Sequence, residues 1–310
     1  MAGSSENSKR VIIQTKNQGS KDNDPEKLVI IDPSYQYISE SNVNINEESE
    51  SHLLELEILN SYSLSIGTKI KIDELGLIEG SLRNAKDKIT YFGSVENTDN
   101  NTNEKEKNAD DNSIDYLIPL KHCEKFGRFF KIQFLPKLNQ YIIKDLGNGL
   151  GTFIKIQDSI YLRDNTMINI GDTFLICNFL PPSEENEKNV NGKNQKLQIK
   201  LFDSKNSNEV KEFIFDNITE KKIHIGRKNH GNEIELNDKL SSKINSVIQY
   251  INEKGWILKD GNEAILKSGE IKRNNSTNGT WILANENIKI VDKLIFKSNF
   301  TVFKCNFLKY

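Results

Sequence analysis

The last third of the chain carries the polar groups with the clearest capacity for chemistry. Arg227 follows Ile225-Gly226. Ser242 and Lys243 lie in Leu240-Ser241-Ser242-Lys243-Ile244-Asn245-Ser246-Val247-Ile248. Thr277 and Asn278 lie in Asn274-Asn275-Ser276-Thr277-Asn278-Gly279-Thr280-Trp281-Ile282. A guanidinium is a planar fork that binds two oxygens of an oxyanion at once. A serine hydroxyl can donate to the same kind of ligand, and a neighbouring lysine adds a point charge. Each also has a plain structural reading: Arg227 as a solvated edge residue, Ser242 as a turn former, Asn278-Gly279 as a hairpin tip. Asn-Gly between apolar runs is the strongest short-range hairpin signal, because both residues tolerate the positive φ of a type I′ turn.

The elements that must position these residues read as β-strands throughout. Short apolar segments, separated by clusters of Gly, Asn, Asp and Ser every eight to twelve residues or so, run from His52 to Phe179 and again from Leu197 to Phe307. Helical periodicity is almost absent, which is the signature of antiparallel sandwiches or barrels. The expected fold class is therefore all-β, with two consecutive antiparallel β-sandwich domains at 51–182 and 196–310. A polar linker at 183–195 separates them, and a polar arm at 1–50, read as disordered or partner-docking, precedes them. An acidic, Asn-rich insert at 96–115 reads as a loop too polar to pack. The halves resemble each other: Gly151-Thr152-Phe153-Ile154 and Gly279-Thr280-Trp281-Ile282 each lead into a pair of strands that ends in Phe and Cys, at Phe174–Phe179 and Phe303–Phe307. An internal duplication follows.

Composition excludes several classes of function. With 310 residues, 42 Lys plus Arg against 44 Asp plus Glu, and a net charge of −2, no global basic field draws the chain to nucleic acid or to an anionic membrane. Three scattered cysteines (Cys123, Cys177, Cys305) argue for a reducing compartment and buried thiols, and their spacing to His52, His122, His224 and His230 suits no metal site. No apolar run reaches the length of a membrane span. The expectation is an intracellular protein, cytoplasmic, cytoskeletal or nuclear. Gly147-Asn148-Gly149-Leu150-Gly151 is no nucleotide loop, because a strand follows it and its glycine spacing is wrong. With no Walker loop, nucleophile elbow or Cys/His pair, the expectation is no enzyme, no cofactor and no metal.

Taken in order, Gly226-Arg227, Asn232-Glu233-Ile234-Glu235-Leu236, Ser241-Ser242-Lys243-Ile244-Asn245 and Ser276-Thr277-Asn278-Gly279-Thr280 resemble the forkhead-associated domain, a β-sandwich that reads phosphothreonine peptides from the loops at one end. The resemblance covers roughly residues 195–310. It implies that Arg227 and Ser242 hold the phosphate with Lys243 assisting, that Thr277 lines the pocket, and that Asn278 grips the peptide main chain. Gly226, Asn245, Gly279 and Thr280 would support them. Asn245 stands where the family has a histidine that braces the loops, and is expected to make only one such hydrogen bond. Glu233 replaces the usual Asp.

In the first half the resemblance is fainter. Ile66-Gly67-Thr68, or Glu79-Gly80-Ser81-Leu82-Arg83, would stand for Gly-Arg. The Ser-Arg-x-His pattern is lost around Phe126-Gly127-Arg128, and Leu150 replaces Asn278. The implied function is a non-catalytic adaptor that binds phosphothreonine-containing proteins through its second domain. The alternative is a scaffold subunit of a larger cytoskeletal, ciliary or nuclear assembly, docked through the N-terminal arm, with both folds serving as packing modules.

Overall fold

The computed structural model describes residues 52–83, 85–95, 114–120, 126–181, 196–203, 209–217, 222–239, 241–252, 254–265 and 271–309. The arm at 1–50, the linker at 183–195, most of the insert and Cys123 lie outside them. Ile114 and Asp115, expected to belong to the insert, are buried: the Asp115 carboxylate accepts from Ser81 Oγ, Arg83 Nε and the Tyr91 amide.

The described chain is nearly all β, apart from one 3-10 turn at Pro136–Leu138. Its first segment holds β1 (His52–Asn60), β2 (Lys69–Asp73), β3 (Gly76–Leu77), β4 (Ile89–Ser94), β5 (Tyr116–Leu117), β6 (Gly127–Leu135), β7 (Gln140–Asp145) and β8 (Thr152–Lys155). The middle segment holds β9 (Ser159–Tyr161), β10 (Thr166–Ile170), β11 (Thr173–Leu180), β12 (Lys196–Asp203), β13 (Val210–Asp216), β14 (Lys222–Arg227), β15 (Ile234–Leu236), β16 (Ser246–Ile251), β17 (Gly255–Asp260), β18 (Asn262–Ile265) and β19 (Ile271–Asn274). Last come β20 (Trp281–Leu283), β21 (Ile288–Lys289), β22 (Ile295–Ser298) and β23 (Thr301–Lys309).

Two compact units result, and they are not consecutive in sequence. Among the described residues, a continuous unit is built on 156–280, and a split unit on 52–155 together with 281–309. In the continuous unit one sheet runs β13-β12-β11-β10 and the other β15-β14-β16-β17-β9. The split unit pairs a sheet ordered β20-β8-β22-β23-β1-β2-β3 with one ordered β21-β7-β6-β4-β5. This division departs from the consecutive domains at 51–182 and 196–310. The opening strand β1 pairs with β23, setting Leu54, Leu56 and Ile58 opposite Phe307, Cys305 and Phe303. The opening strand of the second half, β12, pairs with β11, setting Leu197, Ile199 and Leu201 opposite Phe179, Cys177 and Leu175. The hairpins that close the two sandwiches are thus exchanged between the halves. Their inward residues are chemically so alike that hydrophobic pattern alone does not assign them.

In the split unit the core is aromatic. Phe92 and Phe130 stack at 4.5 Å on one sheet and meet Phe303 and Phe296 of the other edge to face, at 6.4 and 5.3 Å. The continuous unit is filled by aliphatic side chains, among them Ile168, Leu175, Ile199, Ile223, Ile225, Ile248 and Leu258. Cys177 and Cys305 are fully buried, and burial pushes the Cys177 thiol up to about 12.

Deleting residues 284–310 should remove amide-exchange protection from β4 and β6, whose sandwich loses β21–β23, while β14 and β16 stay protected. Consecutive domains would give the reverse pattern. Exchange mass spectrometry on the truncated chain separates the two.

Candidate functional site

All five candidate ligand residues lie in the continuous unit: Arg227 ends β14, Ser242 and Lys243 precede β16, and Thr277 and Asn278 precede β20. Their convergence begins with a close backbone approach. A Cβ on Gly226 would lie 2.2 Å from the Lys243 carbonyl oxygen and 2.9 Å from Ile244 Cα, so only glycine lets the two loops touch. Across this contact the Arg227 amide donates to the Ser242 carbonyl at 3.0 Å, and Arg227 Nε donates to the Ser241 carbonyl at 3.0 Å. Asn232 clamps the same loops, its Nδ2 donating to the carbonyls of Arg227 (3.0 Å) and Lys243 (2.8 Å).

The third loop joins through Ser242, whose Oγ accepts from the Thr277 amide at 3.0 Å and lies 3.4 Å from Thr277 Oγ1. Arg227 and Ser242 are half-buried, whereas Lys243, Thr277 and Asn278 are exposed. The terminal nitrogens of Arg227 and the Lys243 ammonium take no partner among the described residues. Geometrically this is a rim of cationic and hydroxyl donors, able to receive an oxyanion with charge-assisted hydrogen bonds.

Beneath the rim sits a buried polar network. Thr280 Oγ1 donates to Asp260 Oδ1 at 2.6 Å and accepts from Ser246 Oγ (2.7 Å) and Asn245 Nδ2 (3.1 Å). Asp260 also accepts from Ser276 through Oγ (2.6 Å) and through the amide (3.1 Å). Asn245 is fully buried. Beyond Thr280, its Oδ1 accepts from the Ser242 amide (3.4 Å), and its own amide donates to the Ile225 carbonyl (2.7 Å). The expectation of a single bracing bond from Asn245 is corrected: because its amide both donates and accepts, it ties the Ser242 loop to the Thr280 loop. Glu233 receives the amide and ring nitrogen of His224. Burial opposes its ionisation, but those hydrogen bonds outweigh burial and hold its carboxyl below the usual range.

The Asn278-Gly279 hairpin is also corrected. β19 pairs with β18 and β20 with β8, so no hairpin joins them, and of the two turn residues only Gly279 has a positive φ, at 78°. The loop's geometry comes from Asp260 and Thr280 rather than from a type I′ turn.

Register identifies the counterpart site in the split unit. The row Ile225, Ser246, Asp260 across β14, β16 and β17 corresponds to Phe92, Phe130, Asp145 across β4, β6 and β7. The Gly-Arg counterpart is therefore Gly93-Ser94, neither Gly67-Thr68 nor the Gly80–Arg83 stretch. A Cβ on Gly93 would lie 2.2 Å from the Gly127 carbonyl, the same close approach as at Gly226. The sequence hid this pair because serine replaces arginine. Phe126 stands in the place of Ser242, Phe129 in that of Asn245, Gly149 in that of Thr277 and Leu150 in that of Asn278. Arg83 is committed elsewhere, bound to Asp87 (2.6 and 2.9 Å), Asp115 (3.1 Å) and the Ile89 carbonyl (2.7 Å), and its bond from the guanidinium lowers the Asp87 pKa.

Asn232, Ser246, Asp260 and Ser276 were missed from sequence as site supports. The one available signal was Asp260-Gly261, an acid-glycine step like Asp145 ahead of its own glycine-rich loop. Among the described residues no group of His, Cys, Asp or Glu could hold a metal ion, and no helix is long and apolar enough to cross a membrane. Compared with protein-family models, curated proteins and solved structures, the chain matches none.

Two substitutions test this construction by urea melts. Thr280→Val should cost about 1–3 kcal/mol, because it leaves buried partners of the hydroxyl unsatisfied. Gly226→Ala should cost about 1–3 kcal/mol by overpacking two backbone segments.

Proposed function

We propose that the protein is a non-catalytic reader of phosphothreonine peptides, acting through forkhead-associated-type loops of the continuous unit. The observation that carries this reading is the convergence of Arg227, Ser242 and Thr277 on one rim over a buried Asn245–Thr280–Asp260 brace. Arg227 offers a fork to two phosphate oxygens, Ser242 a hydroxyl, and Lys243 a mobile positive charge. In this reading Thr277 flanks the phosphate, and Asn278 offers its amide to the peptide main chain. Cytoplasmic or nuclear partners fit this role equally.

A second reading, as a scaffold subunit, is favoured by the corresponding end of the split unit. Each donor position there has become neutral or apolar, and Leu150 (53%), Tyr62 (87%) and Phe300 (52%) are exposed, the last two rings meeting edge to face at 5.5 Å. Exposed aromatics of this kind suit contact with another protein surface. The two readings are compatible, since a phosphopeptide grip can tether an assembly.

Arg227→Ala should abolish capture of members of a degenerate phosphothreonine peptide library. Equal capture by the variant, or no capture by the wild type, sinks the proposal. Binding should also weaken as pH falls through about 6, where the phosphate dianion takes up a proton; fluorescence anisotropy across that range reads the effect.

A further inference from the structure

The hairpin that closes the continuous unit, β10–β11, turns at Gly171-Asp172, and the one that closes the split unit, β22–β23, turns at Asn299-Phe300. Both turns place a residue in the left-handed region, Gly171 at φ 55° and Asn299 at φ 52°. Asparagine is among the non-glycine residues that most readily adopt that conformation, so backbone demand alone does not explain the difference between them. Their surroundings do.

In the continuous unit the turn is pressed against Asp238. A Cβ on Gly171 would lie 2.0 Å from Asp238 Oδ2, and the Asp172 amide donates to that same oxygen at 3.3 Å. Asp238 is 4% exposed, and its backbone carbonyl accepts from Ser241 Oγ (2.7 Å) and the Ser241 amide (3.2 Å). Ser241 in turn receives Arg227 Nε on its carbonyl and directly precedes Ser242. An unbroken chain of contacts runs from the turn through Asp238 and Ser241 to both principal anion ligands.

In the split unit the relation is reversed. Asn299 Oδ1 accepts from the Leu150 amide at 2.7 Å, and a Cβ on Gly149 would lie 2.4 Å from that oxygen. Thr277, which has a Cβ, stands at the position of Gly149 in the continuous unit. A side chain at Gly171 would collide with the Asp238 carboxylate, whereas glycine leaves it in place.

We propose that the candidate grip is a composite site: Gly171 and Asp172, from the stretch that precedes the 183–195 linker, act with Asp238 as positioning residues for Arg227 and Ser242. The contrast between Gly171 and Asn299 matches each closing hairpin to its sandwich. The proposal rests on the phosphothreonine reading and adds residues outside the 195–310 stretch that carries the resemblance.

The test uses the full chain and the tightest-binding member of the phosphothreonine library, with cooperative thermal melting required of every variant. Asp238→Ala should weaken binding tenfold or more, while Asp238→Asn, which still accepts from the Asp172 amide, stays within about threefold of wild type. Gly171→Asn should reproduce the loss of Asp238→Ala by driving the carboxylate from its place, and it serves in place of Asp238→Ala if that variant fails to melt cooperatively. In a Ser242→Ala background the loss from either variant should be at least twofold smaller than in the wild type, because one of its two routes to the ligand has been removed while the route through Arg227 remains. Wild-type affinity in both Asp238→Ala and Gly171→Asn, or full additivity with Ser242→Ala, overturns the proposal and leaves the phosphothreonine reading intact. Failure of the wild type to bind, or equal binding by Arg227→Ala, removes both.

Discussion

The pairing of β1 with β23 is the constraint from which the rest of the architecture follows. Its ladder runs from His52 opposite Lys309 to Asn60 opposite Val302, and buries Leu54, Leu56 and Ile58 against Phe307, Cys305 and Phe303. Once β23 is committed to β1, β22 must lie beside β23 and β8, and the phenylalanine cluster of Phe92, Phe130, Phe296 and Phe303 can close. The strand opening the second half, β12, is then left to β11, which completes the other sandwich. The apolar area buried by these side chains, worth on the order of 2 kcal/mol for each fully buried one, is common to both possible pairings. The shapes of the turns and the match of Phe296 and Phe303 to the phenylalanines they meet tell them apart.

The two sandwiches apply one loop geometry to different ends. At Gly226 and Gly93 the backbone approach is the same to a tenth of an ångström. Asp260 and Asp145 likewise occupy equivalent places, bonded to Thr280 and to Thr152 respectively. What differs lies above that shared floor. Asn245 becomes Phe129, fully buried, and a polar brace becomes packing. With the brace gone and Ser94 in the place of Arg227, the split unit keeps the loop fold without the donors that an anion requires.

The strand content of the chain was legible because alternation with period two survives in nearly every element, as in Phe213, Phe215, Ile223 and Ile225. The candidate rim was legible because its residues keep a recognisable order along the chain. Three things were not. Which hairpin closes which sandwich was hidden because Leu175, Cys177 and Phe179 present the same inward chemistry as Phe303, Cys305 and Phe307. The Gly93-Ser94 counterpart was hidden because a glycine required by close backbone approach carries no mark in sequence. Asp260 and Ser276 were hidden because their role depends on contacts across sixteen residues that no local pattern reports.

The β1–β23 ladder also bears on the order in which the molecule can be made. A ribosome releases residues in sequence, so the first strand emerges about 250 residues before the partner that covers it, at a synthesis rate on the order of ten residues per second. The continuous unit has all its strands once Asn274 has emerged and can close first. Until β23 emerges, β1, with its three buried aliphatic positions, presents an uncovered strand edge, the kind of surface that chaperones shield. Nascent-chain folding is thus expected to run from the middle of the sequence outward, with the N-terminal sandwich strands the last to be secured.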